Sequence, residues 1–218
     1  HWQADDIPNL KSYMDLVAIG TLADQVTVMG VNRIIIKAGL EILSISPKIG
    51  LRKLLDSSNF NGRAIEADDI AFRLAPRLNA AGRIGSAQTA VELLTIADPD
   101  MAAKLAKELE QANNLRKQIE RSVFDDAEHM AAEETQQGRK SLVLYNGEWH
   151  AGVLGIVASR LTDSFHCPTI LLTDSTLDDS PDEELVKGSG RTIMGLDLFE
   201  AISACSDLLK RFGGHVGA

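Results

Sequence analysis

Four short stretches of this 218-residue chain combine residue types suited to binding phosphate. The first is Asn79-Ala80-Ala81-Gly82-Arg83, close behind Pro76, where a helix does not continue easily. Small residues leave the backbone open there, and an arginine fork matches a phosphate. The same five residues also make a helix C-cap with a surface arginine, and the pattern alone weighs the two equally. The second is Trp149-His150-Ala151-Gly152-Val153-Leu154-Gly155, between a strand-like and a helix-like run. Helix N-termini attract anions, and His150 can donate to a phosphate or hold a partner carboxylate. The third, Lys187-Gly188-Ser189-Gly190-Arg191-Thr192, reads as a nest of backbone and side-chain donors. It lacks the spacing of a P-loop. The fourth, Gly213-Gly214-His215, reads either as a helix stop or as a close backbone approach to a ligand with His215 facing it. Together the four favour a phosphate-bearing ligand.

The bulk composition narrows the setting. Acids outnumber bases, 31 to 22, for a formal charge of −9. This excludes a domain that coats itself in nucleic acid through net charge alone. Asp174, Asp178, Asp179, Asp182, Glu183 and Glu184 crowd one stretch without a base, and with Pro181 and several serines it reads as a solvated loop. An EF-hand's ligand spacing and turn glycine are missing from it. The two cysteines, Cys167 and Cys205, form no C-x-x-C, so a disulfide framework and a cysteine zinc site are not expected and a reducing cytoplasm fits. No apolar run approaches the roughly 20 residues of a membrane helix. The chain starts His1-Trp2 and stops at Ala218, and it reads as an internal piece of a longer protein.

Three kinds of segment must position these residues. Up to Ala97 the chain reads as helical. An apolar run between Asp15 and Asp24 comes first, followed by a helix capped by Asn32 and stopped by Pro47. Further helices are expected from Gly50 to Leu55, Glu66 to Leu74 and Ala87 to Ala97, with Pro99 marking the end. Met101, Leu105, Leu109, Ala112, Leu115, Ile119, Val123, Ala127 and Met130 then form one apolar stripe along a helix of more than thirty residues, read as a strut between domains. The period changes after Lys140. Strands are expected at Ser141–Tyr145 and Pro168–Thr173, with helices at Gly152–Leu161 and Gly195–Phe212. The fold class expected is α/β.

In this order, the Asp15–Asp24 run, Asn32-Arg33, Pro76-Arg77-Leu78-Asn79-Ala80-Ala81-Gly82-Arg83, Trp149-His150-Ala151-Gly152-Val153, Gly188-Ser189-Gly190-Arg191 and Gly213-Gly214-His215 resemble the RecJ exonucleases of the DHH phosphoesterase family. The resemblance covers nearly the whole chain. It implies the C-terminal part of a DHH catalytic domain at 1–97, a long connecting helix at 98–135 and a small α/β DHH-associated, substrate-binding domain at 136–218. The implied activity is 5′-to-3′ hydrolysis of single-stranded DNA with two divalent ions, Mn²⁺ or Mg²⁺, releasing 5′-mononucleotides in DNA repair and recombination. Single-strand-binding protein or a helicase are the implied partners.

By the same resemblance Asp15 is a metal-ligating, catalytic carboxylate and His150 a second catalytic residue. Asn79, Arg83, Trp149, Ser189, Gly190, Arg191, Gly213, Gly214 and His215 hold the substrate's phosphates and strand. The family's Asp-x-Asp pair and Asp-His-His triplet are absent upstream of Asp15. A two-metal site cannot form from Asp15 alone, so this chain by itself is expected to be inactive. Thr192 replaces a usual serine, the glycine-histidine element is cut short at Ala218, and the OB-fold of longer members is missing. Two other readings compete: a DHH phosphodiesterase acting on short oligonucleotides or cyclic dinucleotides, and an inactive replication scaffold, against which the retained Asp15 counts.

Overall fold

The computed structural model describes residues 9–24, 26–45, 48–58, 60, 63–175 and 185–218. Pro47, Pro181 and the acids from Asp178 to Glu184 lie outside them. Two compact units divide the chain, residues 1–115 and 116–218.

The first unit is helical. The apolar run forms α1 (Met14–Ala23), with Asp15 in its first turn, where a carboxylate complements the helix dipole. α2 (Gly30–Ile45) packs against it at Gly39, where an added Cβ would lie 2.3 Å from both the Ala18 Cβ and the Met14 carbonyl. Asn32 is not the cap of α2: it lies inside the first turn, and its Nδ2 donates to the Thr27 carbonyl at 3.0 Å. The chain turns into α2 through Gly30, whose φ of 55° suits glycine. α3 (Ile49–Ser57) follows.

Next, α4 (Ala67–Asp69) opens with a capping box between Glu66 and Asp69 and runs through a π turn at Ile70–Leu74 into α5 (Ala75–Ile84). The π turn explains how the helix passes Pro76. Proline offers no amide to the Phe72 carbonyl and its ring crowds that oxygen, and the wider turn relieves both. α6 (Gln88–Thr95) begins where Ser86 Oγ accepts from the Gln88 amide (3.2 Å). Leu43, Leu51, Leu54, Ile70, Leu74, Leu93, Leu105 and Leu109 belong to the core of this unit.

Pro99 does not end a helix but begins one: α7 (Pro99–Gln136) has 38 residues, about 57 Å at ~1.5 Å per residue. Its first half buries Ala102, Leu105, Ala106 and Leu109 in the first unit. Its second half buries Val123, Phe124, Ala127 and Ala131. Met101 and Leu115, members of the expected stripe, are 45% and 46% exposed.

In the second unit β1 (Leu142–Tyr145) and β2 (Thr169–Asp174) are parallel, joined through α8 (Leu154–Phe165), and β3 (Val186–Arg191) pairs antiparallel with β2. α8 packs on β2 and β3 and ends at His166, whose φ of 52° closes it in the left-handed conformation. The expected helix from Gly195 to Phe212 is not formed. α9 spans only Leu198–Ser203, capped by Asp197, and Leu208, Leu209 and Phe212 are exposed. Both cysteines are free thiols. Burial pushes the Cys167 thiol above its ordinary value, partly offset by the Thr169 hydroxyl. Among the described residues no helix is long and apolar enough to cross a membrane.

Candidate functional site

In the first unit, α1 buries Asp15 to 1% exposure, and both carboxylate oxygens lie 2.6 Å from Lys48 Nζ. The Leu16 amide also donates to Oδ1 (2.8 Å), and Lys48 is steadied by the Ser12 carbonyl (2.9 Å). A carboxylate removed from water needs such a cation. Among the described residues no group of three His, Cys, Asp or Glu could hold a metal ion. One carboxylate cannot supply all the ligands of a pair of divalent ions, so the described residues alone do not make that centre. Nothing in the sequence spacing marks Lys48 as the partner of Asp15.

α5 carries Asn79 and Arg83 on its exposed side, while Ala80 and Ala81 are buried. The backbone of this stretch is helical and not open, which agrees with the reading as a helix end carrying a surface arginine. Arg83 stands in the last turn, where the helix dipole repels anions, so only side chains could recognise a phosphate there. Arg77 is taken up by Glu110 of α7 and the Arg73 carbonyl.

The second unit brings more of the expected residues together. β1 ends in a turn, Asn146–His150, that feeds a 3₁₀ turn (Ala151–Val153) and then α8. Trp149 is 5% exposed, and its Nε1 donates to Asp126 Oδ2 on α7 (3.2 Å). The indole therefore supports the turn from beneath and offers no face for stacking a base, which corrects its assignment to the DNA surface. His150 is exposed, and its Nδ1 accepts from the Gly152 amide (3.1 Å).

The Lys187–Thr192 stretch is not a nest. It is mostly strand β3, and its glycines answer to packing: a Cβ on Gly188 would lie 2.5 Å from Leu172 Cδ2, and one on Gly190 2.8 Å from Leu198 Cδ2. Gly190 is thus accounted for by the packing of Leu198 and Ile170 against the sheet. Alternation along the strand instead puts Ser189 and Arg191 on one face, toward α8. A Cβ on Gly155 would lie 3.0 Å from Ser189 Oγ and 3.2 Å from Arg191 Nη2. Arg191 runs along α8: Thr162 Oγ1 donates to its carbonyl (3.5 Å), its Nη1 donates to the Gly190 carbonyl (2.6 Å), and Nη2 reaches the first turn. Among the described residues no carboxylate forms an ion pair with it. A hydroxyl, a guanidinium and the positive end of a 12-residue helix converge on a glycine, an arrangement that favours an anion.

The Gly213-Gly214-His215 element does not follow a helix directly. Gly214 allows a close approach of backbone, since a Cβ there would lie 2.1 Å from the Ala218 carbonyl. The His215 amide donates to that carbonyl (2.7 Å), and the Leu198 amide donates to Val216 O (3.1 Å), tying the segment to the start of α9. Gly213 faces open space and His215 is exposed.

Residues 138–218 match the model of the DHHA1 domain. The chain is similar to the single-stranded-DNA-specific exonuclease RecJ of Bacillus subtilis (strain 168), at 41% identity over 93% of this chain and 25% of that protein. Its structure is similar to crystal structures of RecJ from Thermus thermophilus. With Mn²⁺ the TM-score is 0.83 at 35% identity, over 97% of this chain and 30% of the other. With Mg²⁺ it is 0.81 at 33% identity, over 97% and 31%. The chain thus spans between a quarter and a third of the length of these relatives.

Proposed function

We propose, for a chain that belongs to the RecJ family of DHH proteins and carries its DHHA1 domain, that it is the end-reading part of a single-stranded-DNA exonuclease. The observation that carries this is the convergence of Ser189, Arg191 and the first turn of α8 at Gly155. A 5′-terminal phosphate has the charge and the acceptor oxygens that these donors require. Base edges offer acceptors but no negative charge, so the contact favours the strand's end and leaves its sequence unread. His150, capping the 3₁₀ turn that leads into α8, would donate through Nε2, because its Nδ1 already accepts from Gly152. Asn79 and Arg83 on α5, and His215 beyond α9, are further phosphate contacts in this reading.

In the whole protein Asp15 would give one carboxylate to a centre of Mn²⁺ or Mg²⁺, ions bound by the similar Thermus proteins. The other ligands would come from residues this chain does not contain, so the chain itself is inactive in this reading. The whole protein would remove 5′-mononucleotides in DNA repair and recombination in the cytoplasm, beside single-strand-binding protein or a helicase.

The test is binding of the chain to a 5′-phosphorylated single-stranded oligonucleotide and to its 5′-hydroxyl twin. The phosphorylated strand binds more tightly, by about tenfold if one charge-assisted contact is involved. Arg191→Ala abolishes the difference. Equal affinities in the unaltered chain would reject the reading.

A further inference from the structure

Asp126 lies on the second half of α7, and its Oδ2 accepts two hydrogen bonds from the β1–α8 turn, from Trp149 Nε1 and from Asn146 Nδ2, each at 3.2 Å. A surface aspartate on a helix is ordinarily left to water. Here it joins α7 to the turn that precedes the candidate site. Its two donors are the organising residues of that turn. Asn146 Oδ1 accepts from the Glu148 amide (2.9 Å), and the Asn146 carbonyl accepts from the Trp149 amide (3.2 Å). The Trp149 carbonyl in turn accepts from the Thr173 hydroxyl of β2 (2.7 Å). His150 follows, taking the Gly152 amide, and the Leu154 amide bonds to the Ala151 carbonyl at the head of α8. A continuous path of hydrogen bonds and backbone thus runs from Asp126 to Gly155.

We infer that Asp126 is a positioning residue for the phosphate site, holding the turn so that the first turn of α8 faces Ser189 and Arg191. The inference rests on the phosphate-end reading above. Its physical basis is the buried indole. An indole N–H left without an acceptor carries a desolvation penalty, so the ring shifts to recover one, and the residue next to it is His150. Removing Asp126 therefore changes the site without touching any group that meets the ligand.

The experiment compares the full chain with Asp126→Ala, Asp126→Asn and Trp149→Phe. Two quantities are read: the affinity ratio for 5′-phosphorylated over 5′-hydroxyl single strands, and hydrogen exchange at the Gly152 amide. Asp126→Ala and Trp149→Phe lower the ratio by about tenfold, the size expected for losing one well-placed contact, and speed exchange at Gly152. Asp126→Asn keeps an acceptor and retains both. Trp149→Phe keeps an aromatic ring in place and removes the donor together with part of the indole, so it gives an independent second reading should Asp126→Ala unfold. An unchanged ratio with unchanged exchange in both variants overturns the inference. If the unaltered chain shows no preference for the phosphate, the phosphate-end reading falls, and Gly152 exchange alone decides whether Asp126 holds the turn.

Discussion

Gly155 is where the site is most sensitive to a single atom. It stands in the first turn of α8, and a methyl group there would meet Ser189 Oγ at 3.0 Å and Arg191 Nη2 at 3.2 Å. Two effects of Gly155→Ala oppose each other. Alanine lowers the entropy of the unfolded chain and favours the helix by about 0.4–1 kcal/mol. The same methyl displaces two donors from the place where they converge. We predict an unchanged or slightly higher melting temperature together with loss of the preference for a 5′-phosphate, read by calorimetry and by oligonucleotide titration. A lowered melting temperature with the preference intact would contradict this account. At this scale the sequence was readable only in part. Ser189, Arg191 and His150 stood out by type, and the structure places Ser189 and Arg191 against the start of α8. Gly190 also stood out, but two-residue alternation with large neighbours explains it without a ligand. Lys48 and Asp126 carried no signal, because their partners are 33 and 20 or more residues away. A contact over that distance in sequence leaves no local pattern.

The elements were legible where one periodicity ran unopposed. The long stripe gave α7 correctly as a helix, since apolar residues at steps of three and four over thirty positions admit no other regular structure. It could not tell which members are covered, because burial depends on what lies opposite. Leu109 is 1% exposed in the core of the first unit, whereas Leu115, in the same stripe, is 46% exposed. We predict that Leu109→Ala costs about 2–5 kcal/mol and Leu115→Ala stays within about 0.5 kcal/mol, measured as shifts in urea midpoint at constant slope. Similar costs at the two positions would mean that Leu115 is covered in solution. The misread elements share a cause. β3 has two glycines in six residues and so looked like a turn, although those glycines admit Leu172 and Leu198. The terminal segment has apolar residues at helical spacing, yet Gly195 has a φ of 94° and the helix closes after Ser203. Pro76 marks a helix boundary by sequence rules, which do not anticipate the π turn that carries the helix past it.

For the molecule as a whole, charge sets the terms on which it meets a nucleic acid. The formal charge of −9 repels a polyanion, while the attraction is local to side chains such as Arg191. Salt acts on the two in opposite directions. It screens the general repulsion over a Debye length of about 8–10 Å near physiological ionic strength. It also weakens each phosphate contact through counterion release, by a slope of about −0.7 in log K against log salt for each phosphate neutralised on a single strand. A protein that reads an end with few cations therefore has a shallow dependence, and one that tracks the backbone along a basic groove has a steep one. We predict a slope no steeper than about −2 for the 5′-phosphorylated strand and one shallower by about 0.7 or more for its 5′-hydroxyl twin. Arg191→Ala should bring the two slopes together by removing the contact that distinguishes them. Titrations at several salt concentrations decide this. A slope steeper than about −4 for both strands, unaffected by Arg191→Ala, would mean that affinity comes from many contacts along the strand. The site at the head of α8 would then not be what selects the substrate.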